Sequence, residues 1–183
     1  GRIAFPVFAF LIAEGFIHTR SRYRYFFTLL GFAVISEIPW YLLNGADGTH
    51  NVMFTLALGV ATLMVLENLL QRSMVLGFLW TLGMAGLAFW FGVDYEWRGI
   101  LVIVFFYLFN GFEHYLPYSR GMQFFCTFVL MIHYGGIGAI MACMILYVYN
   151  GTRGFVQGSI AQYGFYAFYP IHLIVLSNFM LLP

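Results

Sequence analysis

The sequence predicts an all-α protein, a polytopic transmembrane bundle of about seven helices. Three observations predict it. First, 62% of the 183 residues are hydrophobic and only 8% are charged, against about 45–50% and about 25% in a soluble domain. Eight arginines and seven acids cannot build a water-facing surface, so the expected partner of that surface is the lipid bilayer. Second, the apolar residues come in continuous runs close to the 20 or so needed to cross a bilayer. The strands of a membrane barrel would instead alternate over about ten residues. Third, many aromatic residues sit near the ends of these runs: Trp40, Tyr41, Trp90, Tyr95, Trp97, Tyr147 and Tyr149. That is the pattern of an interfacial belt.

The elements follow in order. Residues 3–17 form a first apolar run, closed by His18-Thr19-Arg20-Ser21-Arg22-Tyr23-Arg24. Residues 25–43 form the second, which ends at the turn signal Asn44-Gly45-Ala46-Asp47-Gly48. Residues 52–70 and 74–93 are the third and fourth. Residues 99–109 are the fifth, too short to span unless the helix starts near Asp94. Residues 122–148 are the sixth, long and interrupted by Gly135, Gly136 and Gly138. Residues 163–182 are the seventh. No repeat or linker divides the chain, so residues 1–183 read as a single transmembrane domain. The start at Gly1, without Met or a signal n-region, implies that something precedes it.

Arginine placement predicts orientation. If the first helix ends in the cytoplasm, Arg20, Arg22, Arg24, Arg72 and Arg120 share that side. Arg2, Arg98 and Arg153 then lie outside, beside Asp47, Asp94 and Glu96, and the C-terminus lies inside. A net charge of +1 with no basic run argues against nucleic-acid binding. Cys126 and Cys143 would lie about 25 Å apart on a continuous helix and could not pair. No His pair at i, i+4 and no Cys–His cluster exists, so no metal site is expected. Nothing in the sequence specifies an oligomer.

Ionisable residues inside apolar runs are costly, at about 2.5–3.5 kcal/mol each, and often mark function. Glu14 and His18 share one helix face and suit a base with its orienter. A structural alternative pairs Glu14 with Arg20 and lets His18 snorkel. Glu37 lies in Ser36-Glu37-Ile38-Pro39, where the proline invites a kink and a cavity. Its structural alternative is a pair with an arginine such as Arg2. Glu67 is close enough to Arg72 to snorkel with it. His133 reads as an interhelical histidine. Tyr169 and His172 flank Pro170 and can reach a polar cavity; the alternative is a hydrogen-bonded His in a kinked helix. Asn51 is a natural N-cap. Asn110, Glu113 and His114 fall in a connecting loop.

Five segments occur in order: Gly1-Arg2-Ile3-Ala4-Phe5-Pro6-Val7-Phe8-Ala9-Phe10, Glu14-Gly15-Phe16, Ile35-Ser36-Glu37-Ile38-Pro39, Asn51-Val52-Met53-Phe54-Thr55 and Phe168-Tyr169-Pro170-Ile171-His172-Leu173. Together they resemble the TraX family, named for the F-pilin acetylation protein. The closing Tyr-Pro-x-His also resembles the last helix of broader membrane acyltransferase families. The resemblance implies a multi-pass protein of the bacterial inner membrane that moves an acetyl group from acetyl-CoA to an amine. The namesake's acceptor is a pilin N-terminus, but the acceptor here is not fixed by the resemblance. Family members usually begin with an extra helix carrying Asp-His, and this chain starts after that point.

On this reading Glu14, His18, Glu37 and His172 are the acid–base candidates. Arg2, Arg20, Arg22, Arg24, Asn51 and Tyr169 are the candidates for binding donor or acceptor. The three clustered arginines would clamp the donor's phosphates, although setting topology needs no ligand. A proton-coupled transporter is the main alternative, because buried Glu and His in broken helices also suit proton relays. A structural or assembly subunit is the third.

Overall fold

The computed structural model describes residues 3–111, 119–149 and 159–180. They form α1 (Ala4–His18), α2 (Arg22–Asn44), α3 (Val52–Arg72), α4 (Met74–Trp90), α5 (Glu96–Gly111), α6 (Ser119–Tyr147) and α7 (Ser159–Met180). Among the described residues the extended structure is one isolated bridge between His50 and Val93. α2, α3 and α6 are long and apolar enough to cross a membrane, and α1 and α4 are shorter apolar helices. Large apolar side chains such as Ile38, Phe78, Trp90 and Ile137 cover the outside of the bundle, which is the surface a bilayer requires.

The helix limits follow from local chemistry. α2 starts at Arg22 because the Ser21 hydroxyl accepts the Arg24 N–H at 3.3 Å. α4 stops at Trp90, short of the expected residue 93, because the chain turns at Gly92, whose φ is 63°. A side chain at Gly92 would meet the Gly48 carbonyl oxygen at 2.9 Å, so two loops can cross there only through glycine. α5 begins at Glu96, close to the Asp94 start that its length demanded.

α3 is the centre of the bundle: half of its most apolar window is buried, against 22% for α2 and for α6. It packs on α1, α2, α4 and α5. Val60, Leu63 and Leu66 of α3 meet Ile100, Ile103 and Phe106 of α5 and Phe5, Phe10 and Phe16 of α1 in one core.

α6 corrects the reading of a single sixth span. At Gly135 the backbone is non-helical, with φ 145° and ψ 108°, a conformation open in practice only to glycine. The two arms fold back on each other. The rings of Phe124 and Tyr147 lie 6.3 Å apart, and Cys143 Sγ approaches the Phe124 carbonyl at 3.8 Å. A straight helix would separate residues 124 and 147 by about 35 Å. The 25 Å spacing expected between the two cysteines therefore does not apply, although both are free thiols.

The reversal also changes where the chain finishes. Arg24, in the first turn of α2, donates to the Tyr163 hydroxyl at 3.2 Å. Phe32 packs on Tyr166 at 5.6 Å, and the Val52 N–H, at the start of α3, reaches the Tyr169 hydroxyl. α7 thus runs parallel to α2 and ends at the end of the bundle where α1 begins. The expectation of opposite ends rested on counting α6 as one crossing. The described arginines remain polarised: Arg20, Arg22, Arg24, Arg72 and Arg120 gather at one end, and Arg98 stands at the other.

Candidate active site

The site is built where α2 ends, α3 begins and the loop between α4 and α5 passes over both. In the α2–α3 loop, Asp47 Oδ1 accepts the Thr49 N–H at 2.9 Å and the Thr49 hydroxyl at 2.8 Å, a local turn typical of Asp. These bonds hold the Asp47 carboxyl below its ordinary range. Trp40 Nε1 donates to the Thr49 carbonyl at 3.1 Å. The next residue is locked by two backbone bonds: the His50 N–H donates to Gly92 O and the Asp94 N–H donates to His50 O, each at 2.9 Å.

Asn51 then does two things. Its Oδ1 accepts the Met53 N–H at 3.1 Å and caps α3, as expected. Its Nδ2 donates to Ala33 O at 2.9 Å and to Glu37 Oε2 at 2.6 Å. A fully buried amide thus spends both of its N–H bonds on α2. The other carboxylate oxygen, Glu37 Oε1, lies 2.5 Å from His50 Nδ1. With Nδ1–H donating to the carboxylate, the neutral ring carries its free lone pair on Nε2. The His50 side chain is 43% exposed, so that nitrogen is accessible. This is the base-and-orienter arrangement, with a third residue holding the orienter.

Two more polar groups close the site. Tyr169 comes from α7. Its hydroxyl oxygen accepts the Val52 N–H and lies within electrostatic reach of both Asp94 and Glu37. Asp94 accepts the Tyr95 N–H on Oδ1 at 3.0 Å, and its carbonyl accepts the Thr55 hydroxyl. Burial pushes the Asp94 carboxyl up to about 6. The next two residues, Tyr95 and Glu96, take positive φ of 63° and 45°, a strained backbone for non-glycine residues. Stacking of Phe5 on Tyr95 at 3.8 Å holds this turn against α1. Beside Glu37, the buried Ser36 hydroxyl is without a hydrogen-bond partner among the described residues.

The other candidates from the sequence do not converge here. Glu14 and His18 share a face as expected: His18 Nδ1 donates to Glu14 O at 3.0 Å and lies 3.7 Å from Glu14 Oε2. The partner of the Glu14 carboxylate is the Asn110 amide rather than Arg20. Asn110 ends α5 and Glu96 begins it, so about 20 Å of helix separates this pair from Asp94 and His50. Arg22 is engaged by both oxygens of Glu67, one at 2.8 Å, and lies over the Phe16 ring at 4.8 Å. Glu67 therefore pairs across helices with Arg22 and not along its own helix with Arg72. Arg24 donates to Tyr163, and Arg20 is exposed. His172 is exposed and stacks on Phe168 at 5.7 Å. His133 is also exposed, edge-on to Tyr134. Arg2, Glu113, His114 and Arg153 lie outside the described residues. Sequence reasoning missed His50 and Asp94, both in loops, where charged residues pass for solvated ones. The available signal was adjacency, since His50 directly precedes the capping Asn51.

No solved structure matches the chain. A curated relative, the probable fimbrial assembly protein FimC, serogroup H1, of Dichelobacter nodosus, is 29% identical over 199 residues, covering 97% of this chain and 80% of that protein. The family profile of the TraX protein matches residues 1–180. That match takes in all seven helices and every residue of the Glu37–His50–Asn51 group, and the chain therefore belongs to the TraX family.

Proposed function

We propose that this membrane protein is an acetyltransferase that moves an acetyl group from acetyl-CoA to an amine, with His50 as the general base. The observation that carries the reading is the 2.5 Å contact between His50 Nδ1 and a Glu37 carboxylate whose other oxygen is held by Asn51. The neutral acceptor amine attacks the thioester carbonyl carbon, and His50 Nε2 takes the proton that nitrogen loses as the C–N bond forms. The carbon–sulfur bond breaks, the acetyl group stays on nitrogen, and the His50 imidazolium returns that proton to the leaving thiolate. The Tyr169 hydroxyl is the candidate donor to the transient oxyanion.

Charge supports a division of labour between the two ends. Acetyl-CoA is a large anion, and Arg20 and Arg24 at the arginine end are placed to meet its phosphates. Glu37 lies about 22 Å along α2 from Arg22, a depth suited to an extended pantetheine arm. The arginine end faces the cytoplasm on the positive-inside rule, in a bacterial inner membrane that the chain crosses several times. The relative's name, a fimbrial assembly protein, supports an acceptor amine on a subunit of a surface fibre.

The test is incubation of the purified protein with radiolabelled acetyl-CoA and a panel of amines. Label transfer that is lost in His50→Ala and in Glu37→Gln supports the reading. Solute flux in vesicles with no transfer to any amine would replace it with the proton-coupled carrier.

A further inference from the structure

We propose that the α6 hairpin is a binding site for one anionic phospholipid, with an acyl chain between its two arms and the headgroup phosphate on Arg120. The site stands whether or not the transferase reading holds.

The reversal at Gly135 creates it. The two arms touch where Cys143 Sγ approaches the Phe124 carbonyl at 3.8 Å, and the rings of Phe124 and Tyr147 stand 6.3 Å apart. Outside that contact the arms do not close on each other. A groove of about 480 Å³ runs between them, with Phe124 and Phe128 on one wall and Cys143, Met144 and Tyr147 on the other. That volume is in the range of small-molecule sites. Its lining is apolar throughout, and Met144 and Tyr147 are 63% and 70% exposed. The groove therefore opens outward, toward the hydrocarbon that surrounds the bundle.

Charge identifies the occupant. Arg120, Phe124 and Phe128 follow one another at intervals of four, so they share one helix face. Arg120 is exposed and stands one turn beyond Phe124, at the arginine end. An apolar groove thus runs into a guanidinium at the level where headgroups lie. Guanidinium binds phosphate through paired hydrogen bonds, and basic positions between spanning helices hold anionic headgroups. An acyl chain, unlike a helix about 10 Å across, fits between walls that meet at the Phe124–Cys143 contact. Acetyl-CoA has no long apolar chain to fill this space. A lipid wedged here would brace the hairpin, which packs on α5 and α1.

The test uses the full chain, stripped of lipid in detergent, with phosphatidylglycerol or phosphatidylcholine of the same acyl chains added back. Phosphatidylglycerol is expected to raise the unfolding temperature by about 3 °C more than phosphatidylcholine does. Native mass spectrometry should retain one phosphatidylglycerol per chain. Arg120→Gln should abolish the difference between the two lipids. Met144→Trp sets a ring into the groove from an exposed position and should abolish both the shift and the retained lipid. Glycerol phosphate, which offers the phosphate without the chain, should produce no shift. An equal shift with glycerol phosphate would reduce the site to an anion contact and overturn the proposal. A preference for phosphatidylglycerol that survives in either variant would do the same. Should Arg120→Gln not fold, Met144→Trp decides alone.

Discussion

Asn51 donates its amide to Glu37 across 2.6 Å and caps α3 with the oxygen of the same side chain. One buried residue thereby fixes the start of α3 and the orientation of the carboxylate that steers His50, and stability and chemistry become coupled at that position. Asn51→Ala is expected to lose the cap, about 1 kcal/mol, and to leave Glu37 and the Ala33 carbonyl short of a donor, about 1–3 kcal/mol more. Asn51→Asp keeps the capping oxygen but sets a carboxylate against Glu37. Thermal unfolding in detergent should rank the wild type first, with both variants well below it.

On the proposed transferase reading, His50 and Glu37 divide the acid–base work. His50→Ala should lower kcat by about 10²–10⁴, the range for loss of a general base. Glu37→Gln retains shape but no longer favours the Nδ1–H tautomer, and should fall by a similar factor, as with other orienting carboxylates. Single-turnover label transfer measures both. A Glu37→Gln protein with full activity would separate the carboxylate from the chemistry.

Asp94 makes stability depend on pH in a defined direction. Its folded value, about 6, lies above the ordinary value of 3.8 for an exposed Asp. The folded state therefore binds the proton more tightly, and stability is lost as pH rises through the window from about 4 to about 6. Above that window the charged group costs up to about 3 kcal/mol. Asp94→Asn should raise stability at pH 7.5 and leave it nearly unchanged at pH 4. Denaturation curves at the two pH values check the sign.

Arg22 is already engaged by Glu67, so the three clustered arginines are not equivalent. Arg20→Ala and Arg24→Ala should raise the KM for acetyl-CoA more than Arg22→Ala does. Arg22→Ala should act chiefly on folding, with a coupling to Glu67→Gln of about 1 kcal/mol in a double-mutant cycle.

Gly135 holds the reversal of α6. Gly135→Ala forces a Cβ into φ 145° and should cost about 1–3 kcal/mol. Gly136→Ala is the control, since an added Cβ there meets only Ile132 Cγ1 at an ordinary 3.7 Å. Unfolding temperatures of the pair test whether the fold-back depends on that one glycine.

Much of this architecture is legible in the sequence because lipid imposes long apolar runs, and α1 to α4 were read to within a few residues for that reason. Asn51 was legible as a cap because it stands directly before such a run. Its bond to Glu37 was not, since nothing local links positions 37 and 51. The α6 reversal was hidden because hydropathy counts apolar residues without recording their direction, and a Gly-Gly pair reads alike as kink or hairpin. His50 and Asp94 escaped because their roles arise where two loops cross, a contact made possible by Gly48 and Gly92 and carried by no periodicity. The pairing of Glu14 with Asn110 is hidden for a related reason: the partner stands at a helix end, where a polar residue reads as solvated.

The doubling of α6 settles a question of parity. The described helices run back and forth an even number of times between Ala4 and Met180, so those two residues lie at the same end of the bundle. A reporter enzyme joined behind α7 would sample the side on which Glu37 and His50 open, while the described arginines, Arg98 excepted, anchor the far face.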